Sequence, residues 1–214
     1  MKDIAIFGAG GFGKEVACLI NKLNEKDPIW HMIGFFDDGV ESGIQISHFG
    51  KVLGGVDAVN AFDRPLAIVM AIGSSKTVKK IVEKITNSYI EFPNLIHPSF
   101  DVTDPETFKI GKGNIIQRNC TATCDNELGD FNVLNGSVAI GHDTKIGSFN
   151  TFMPNTRISG EVVVGNYNFF GVGSIVLQQI KVGDDIRLGA GSVLMRKPKP
   201  GFLYMGNPAK KVEL

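Results

Sequence analysis

Apolar residues in the first hundred positions follow two spacings in turn. Ile4-Ala5-Ile6-Phe7 is a continuous apolar run closed by Gly8, which reads as a short buried strand. From Lys14 to Leu23 the apolar residues fall at Val16, Ala17, Leu19, Ile20 and Leu23, the spacing of one helix face. Residues 32–36 read as a second strand ending at Asp37-Asp38-Gly39, and 66–72 as a third, followed by Gly73-Ser74-Ser75. A short helix is expected over 56–62. A longer one is expected over 77–85, with Val78, Ile81, Val82 and Ile85 on one side and lysines on the other. Strands alternating with helices predict a parallel sheet. The stretch 92–98 reads as the last strand and the exit, so a Rossmann-like α/β domain is assigned to residues 1–98.

The remaining residues, 99–214, obey a different rule. From Ile110, every sixth residue is apolar: Ile116, Ala122, Leu128, Leu134, Ile140, Ile146, Phe152, Ile158, Val164, Phe170, Val176, Val182, Leu188 and Leu194. A chain that is 43% apolar does not produce such a run by chance. Glycine follows the apolar position in many repeats, at 111, 129, 141, 147, 165, 171, 183 and 189. Six-residue units fit a parallel β-helix of triangular section. Each side takes one strand and one corner, and the apolar residue points into the prism. Glycine would supply a positive φ or tight geometry at the corner. Three units make a coil, which predicts about five coils and a height of about 24 Å. The ends of such a prism are open edges. The front domain is expected to cover one, and the tail after Pro198 the other.

Composition narrows the function. Lys plus Arg and Asp plus Glu both number 22, so bulk charge draws the chain neither to nucleic acid nor to anionic membrane. No apolar run is long enough to insert in a bilayer. The N-terminus runs straight into a strand, so no signal peptide is expected. The three cysteines, Cys18, Cys120 and Cys124, show no disulfide pattern, which suits a reducing, cytoplasmic setting. Cys120 falls in a repeat slot that elsewhere holds small residues, so packing explains it better than a metal. No metal site is predicted.

Two segments suggest chemistry. Gly8-Ala9-Gly10-Gly11-Phe12-Gly13 follows a strand and opens a helix, the arrangement that lets backbone and helix amides approach a phosphate. Asp37 and Asp38 end the next strand, where a carboxylate meets ribose or base. The strand count is about half that of a full dinucleotide fold, which argues against NAD. The same turn without a ligand would be purely structural. In the repeats, His142 is the sole histidine. It lies two places after an apolar position, so it need not fill the prism. Imidazole is a suitable base at neutral pH. A solvated corner histidine is the plainer alternative.

Taken in order, Gly8 to Ala17, Gly34-Phe35-Phe36-Asp37-Asp38, Ile140-Gly141-His142-Asp143-Thr144-Lys145-Ile146-Gly147, Ile158-Ser159-Gly160 and Gly206-Asn207-Pro208-Ala209-Lys210 resemble the sialic acid O-acetyltransferase and bacillosamine N-acetyltransferase family. These are hexapeptide-repeat acyltransferases with a left-handed β-helix. The resemblance implies an acetyl-CoA-dependent acetyltransferase, a homotrimer, acting on an amine or hydroxyl of a sugar, often nucleotide-activated for surface glycans. It implies His142 as general base, with Asp143 supporting it, although Asp143 also reads as a surface carboxylate. It gives Gly10, Gly11, Phe12, Asp37, Asp38 and Gly73 as sugar-nucleotide contacts, with Phe12 where the family frequently has histidine. It gives Asn135 as a substrate contact, against the alternative of a stacked corner asparagine. Along the acetyl-CoA groove it gives Thr151, Gly160, Val172 and Ala190. Thr151 replaces a common histidine and Asn155 a common glycine. Lys197, Lys199, Lys210 and Lys211 either meet CoA phosphates or are solvated.

Other functions fit less well, among them an acetyltransferase for a free small molecule such as serine, against which the front nucleotide-binding domain argues. A zinc hydratase on the same fold needs three histidines on facing coils, and the repeats carry one. A non-catalytic sugar-nucleotide-binding or scaffold protein would leave His142 without a role. A catalytic site here would transfer acetyl directly, since no cysteine or serine is paired with the histidine.

Overall fold

The computed structural model describes residues 1–25 and 28–213 and divides into two compact units, Met1–Leu95 and Ile96–Leu214. In the first, strands β1 (Lys2–Phe7), β2 (Trp30–Phe36), β5 (Leu66–Met70) and β6 (Ile90–Glu91) form a parallel sheet in the order β2-β1-β5-β6. A small hairpin, β3 (Gln45–Ile46) and β4 (Gly50–Lys51), lies outside it. Helices α1 (Gly11–Asn24), α2 (Val56–Asn60) and α3 (Ser75–Lys84) connect the strands. This is the Rossmann-like class that the alternating pattern predicts. Strand β5 is buried at all five residues, as a central parallel strand covered on both faces must be. Helix α1 buries Val16, Ala17, Leu19 and Ile20, and α3 buries Val78 and Ile81. The Ser74 hydroxyl accepts the Thr77 N–H at 3.3 Å and so caps α3. Chain order reverses between β1 and β5, so the crevice at their C-terminal ends is the switch point where open α/β sheets take ligands.

The second unit is a left-handed parallel β-helix of three faces. The first face stacks Ile115–Ile116, Val133–Leu134, Thr151–Phe152, Phe169–Phe170 and Arg187–Leu188. The second stacks Asp101–Val102, Thr121–Ala122, Ala139–Ile140, Arg157–Ile158, Ile175–Val176 and Val193–Leu194. The third stacks Lys109–Ile110, Glu127–Leu128, Lys145–Ile146 and Val163–Val164. Pairing is in register, so each apolar residue sits on the next, and the Phe152 and Phe170 rings stack at 4.7 Å. Both are fully buried. Each contributes about 2–3 kcal/mol by leaving water.

Three details depart from expectation. The second face has six rungs, one more than the repeat count from Ile110 gives. Two extra residues between Val102 and Ile110 break the six-residue step and hide the first coil. Accordingly, Leu95–Ile96 is the first rung of the first face, and the last strand of the sheet is β6. The glycine after each apolar residue also does not take the positive φ. That conformation falls two residues later, at 113, 119, 125, 131, 137, 143, 149, 155, 161, 167, 173, 179, 185 and 191, mostly on non-glycine residues. The earlier glycine answers to space: a Cβ on Gly147 would lie 2.6 Å from the Gly165 carbonyl oxygen.

A second ladder lines the interior one residue after each positive-φ corner. Asn114, Asn132, Asn150 and Asn168 stack there, all fully buried. Each side-chain oxygen accepts the N–H of the residue one coil on, at 2.8–2.9 Å. The Asn132, Asn150 and Asn168 amides donate to the carbonyls of Gly147, Gly165 and Gly183. Buried amides are tolerated because they are satisfied. At the far end Leu203–Gly206 pairs with Arg187–Leu188, and Ala209–Lys211 folds back antiparallel on it. The tail therefore covers the terminal edge of the first face. No helix among the described residues is long and apolar enough to cross a membrane.

Candidate active site

His142 and Asp143 occupy the corner between the second and third faces, after Ala139–Ile140 and before Lys145–Ile146. Neighbours on a straight strand point to opposite sides. Asp143 has φ 55°, and this turn brings its carboxylate back to the preceding side chain. His142 Nδ1 and Asp143 Oδ2 are 2.8 Å apart, with both side chains more than half exposed. An ionised carboxylate only accepts, so the pairing calls for the proton on Nδ1 and leaves a lone pair on Nε2. The corner is tied to its neighbours: Asp143 N–H donates to the Cys124 carbonyl at 3.0 Å, and Glu161 N–H to the His142 carbonyl at 2.8 Å. Gly160 lies on the same corner one coil on, against the imidazole.

The other residues expected in the repeats lie elsewhere. Asn135, Val172 and Ala190 share the corner between the first and second faces, and Thr151 is half-buried on the first face. Asn135 Nδ2 donates to the Phe152 carbonyl at 3.0 Å and lies outside the buried asparagine ladder. Val172 is exposed, and its carbonyl accepts the Gly191 N–H at 2.8 Å. Within one chain, the structure thus brings His142, Asp143 and Gly160 together, and sets Asn135, Val172 and Ala190 along another corner, Asn135 two coils before Val172, with the second face between the two groups. Cys124 stands one coil before His142 in the same repeat slot, a neighbour that the eighteen-residue spacing could have revealed. Cys120 is buried, donates to the Asn135 carbonyl at 3.1 Å, and has its pKa pushed up to about 11 by burial.

In the first unit, the glycines around the crevice divide into two kinds. A Cβ on Gly8 would collide with the Ala71 carbonyl oxygen, and one on Gly13 with the carbonyl oxygen of Gly8. These two hold helix and strand together. Cβ atoms on Gly10, Gly11 and Gly73 would meet nothing within 4 Å. The backbone is open there to an approaching group. Gly10 caps α1 without a side-chain hydrogen bond, an arrangement in which the first amides of a helix can meet an anion. Phe12 is half-buried in the first turn.

Asp37 and Asp38 serve the backbone of this unit. Asp37 Oδ2 accepts the Ala9 N–H and Oδ1 the Gly39 N–H, both at 2.8 Å, while Asp38 Oδ1 accepts the Val56 N–H at 2.7 Å. Asp37 thereby holds the glycine loop in place. A sequence reading sees the two carboxylates but not these bonds.

The chain thus joins a Rossmann-like unit with an open glycine loop to a left-handed β-helix that carries a corner histidine–carboxylate pair. Residues 3–85 match the PglD N-terminal domain family. The acetyltransferase domain of PglB from Neisseria gonorrhoeae FA1090, solved with acetyl coenzyme A, is 28% identical with a TM-score of 0.87, over 99% of both chains. A mutant of perosamine N-acetyltransferase from Caulobacter crescentus, solved with CoA and GDP-perosamine, is 23% identical with a TM-score of 0.85, over 100% of this chain and 98% of that one. WeeI from Acinetobacter baumannii AYE is 23% identical with a TM-score of 0.83, over 99% of this chain and 100% of that one. No curated protein matches the chain by sequence. The family model covers the first unit, and the likeness to the solved acetyltransferase domain of N. gonorrhoeae runs through both units.

Proposed function

We propose that this protein is an acetyl-CoA-dependent acetyltransferase that acetylates an amine on a nucleotide-linked sugar. The observation that carries the reading is the His142–Asp143 pair, exposed and with Nε2 available as a base, on a fold shared end to end with an acetyltransferase domain solved with acetyl coenzyme A. The acceptor amine attacks the thioester carbonyl, and its proton passes to His142 Nε2. The tetrahedral intermediate collapses, breaking the carbon–sulfur bond, and the proton returns to the departing CoA thiolate. Asp143 holds the ring tautomer. Transfer is direct. The C. crescentus perosamine N-acetyltransferase, solved with CoA and GDP-perosamine, supports an amine acceptor over a hydroxyl. The open crevice at Gly10, Gly11 and Gly73 would hold the nucleotide phosphates, with Phe12 beside them.

Asn135, Thr151, Val172 and Ala190 enter this reading through a second copy of the chain. One chain separates them from His142 by a whole face, so a groove lined by both groups needs two prisms side by side. A homotrimer supplies three such grooves.

A CoA-release assay with acetyl-CoA and a panel of UDP- and GDP-linked amino sugars, with sialic acids as the hydroxyl alternative, tests the function. Turnover with a nucleotide amino sugar is expected. His142→Ala should lower kcat at least about a hundredfold while leaving acetyl-CoA affinity unchanged by calorimetry. Near-normal turnover in that variant would remove His142 from the mechanism. No acetyl-CoA binding by the wild type would favour a scaffold.

A further inference from the structure

We propose that Gly160 is the seat of the His142 ring, a positioning residue that acts through the side chain it lacks; this rests on His142 being the base. A Cβ on Gly160 would lie 2.5 Å from His142 Nε2, 2.7 Å from Cε1 and 2.9 Å from Cδ2. Three such similar distances describe a point over the ring face. A point ahead of Nε2 in the ring plane would be clearly farther from both carbons. The imidazole therefore rests its face on the glycine and keeps the in-plane direction of Nε2 open. Its other nitrogen is held by Asp143 at 2.8 Å.

Nothing else at this position asks for glycine. Gly160 is not among the residues of positive φ. The same repeat slot holds Cys124 two coils earlier and Gln178 one coil later, so its backbone accepts side chains. The surrounding backbone is fixed. The Gly160 carbonyl accepts the Gln179 N–H at 3.1 Å, and a Cβ on Gly141 would lie 2.6 Å from the Gly160 nitrogen. The imidazole is the far end of a half-exposed side chain, so it is the part that yields. Ordinary contact begins at 3.4 Å, and a methyl group at 160 pushes the ring by about 1 Å and away from Asp143. Such a displacement costs the stability of the fold little and the chemistry much. The family resemblance gives Gly160 as lining the acetyl-CoA groove, and a glycine meets a ligand only through its backbone, which alanine retains.

The test is Gly160→Ala made alone and in a His142→Ala background. The expected result is a kcat about a hundredfold lower with unchanged thermal midpoint and acetyl-CoA KM, and no further loss when His142 is already alanine. An equal loss in both backgrounds, or a raised acetyl-CoA KM with kcat intact, would overturn the proposal. Nitrogen-15 spectra of the His142 side chain give a reading independent of turnover. The bonded Nδ1–H signal should be lost in Gly160→Ala, and an unchanged signal would also overturn it. If His142→Ala alone leaves turnover intact, the assignment of the base fails, and the spectra still decide where the ring sits.

Discussion

Cys120 fills its place in the prism as a small apolar group, and its thiol acquires a pH dependence from that place. Burial raises its pKa from 9.0 to about 11. A raised acid pKa means that the folded state holds the proton more tightly than the unfolded state. The associated stability is fully present below pH 9 and is lost as pH rises through about 11. Val138 occupies the equivalent slot one coil on, so Cys120→Val suits the site. Across pH 9 to 11 the wild type should lose thermal stability faster than Cys120→Val, read as the difference between their melting temperatures at each pH. Parallel curves would mean that the thiol does not titrate as a buried group. At the same scale, the exposed His142–Asp143 pair shows the opposite economy: a residue outside the prism is free to be chosen for chemistry, because packing does not use it.

At the scale of the repeating element, two glycines only two residues apart do different work. Gly171 has no room for a side chain: a Cβ there would lie 2.5 Å from the Ala190 nitrogen, which is backbone and cannot step aside. Gly173 has φ +66° and nothing within 4 Å of a Cβ. Gly173→Ala should therefore cost about 1 kcal/mol, the price of a left-handed alanine. Gly171→Ala should cost several times more, because the coils must part. Urea denaturation of both variants measures the ratio, and equal losses would show that conformation rather than space selects both glycines. The apolar period of six was plain in the sequence because one side chain per side must enter the prism. The corner conformation was not, because residues as different as Phe131, Ser137, Glu161 and Gln179 all adopt it when coil-to-coil hydrogen bonds hold them there. The asparagine ladder at 114, 132, 150 and 168 repeats every eighteen residues, visible once the coil length is known. In the first unit, the glycines could be found by motif, but their division into packing and open positions needed coordinates. So did the bonds that occupy Asp37 and Asp38.

At the scale of the whole molecule, the proposed site is distributed over two corners that no single prism can bring together. His142, Asp143 and Gly160 stand on one, Asn135, Val172 and Ala190 on the next, and the second face separates them. The outward residues of that face are Asp101, Thr121, Ala139, Arg157, Ile175 and Val193, four of the six uncharged, whereas the third face presents Lys109, Glu127, Lys145 and Val163, with Glu127 ion-paired to both lysines. Association through the less charged faces costs less desolvation. This arrangement has a consequence that separates a shared site from a self-contained one. His142→Ala destroys one half of each groove, and Ala190→Trp obstructs the other half without touching the histidine. Either variant alone should be inactive. Unfolded together and refolded as mixed oligomers, they should regain activity, because a groove formed by the intact histidine corner of one chain and the intact Ala190 corner of its neighbour contains no substitution. Random mixing in a ring makes about one quarter of the grooves intact. Recovery near that level, measured by CoA release after co-refolding and absent when the two are merely mixed, is the expected outcome. No recovery, in mixed oligomers verified by mass, would mean that each chain holds its whole site, and that Val172 and Ala190 lie outside it.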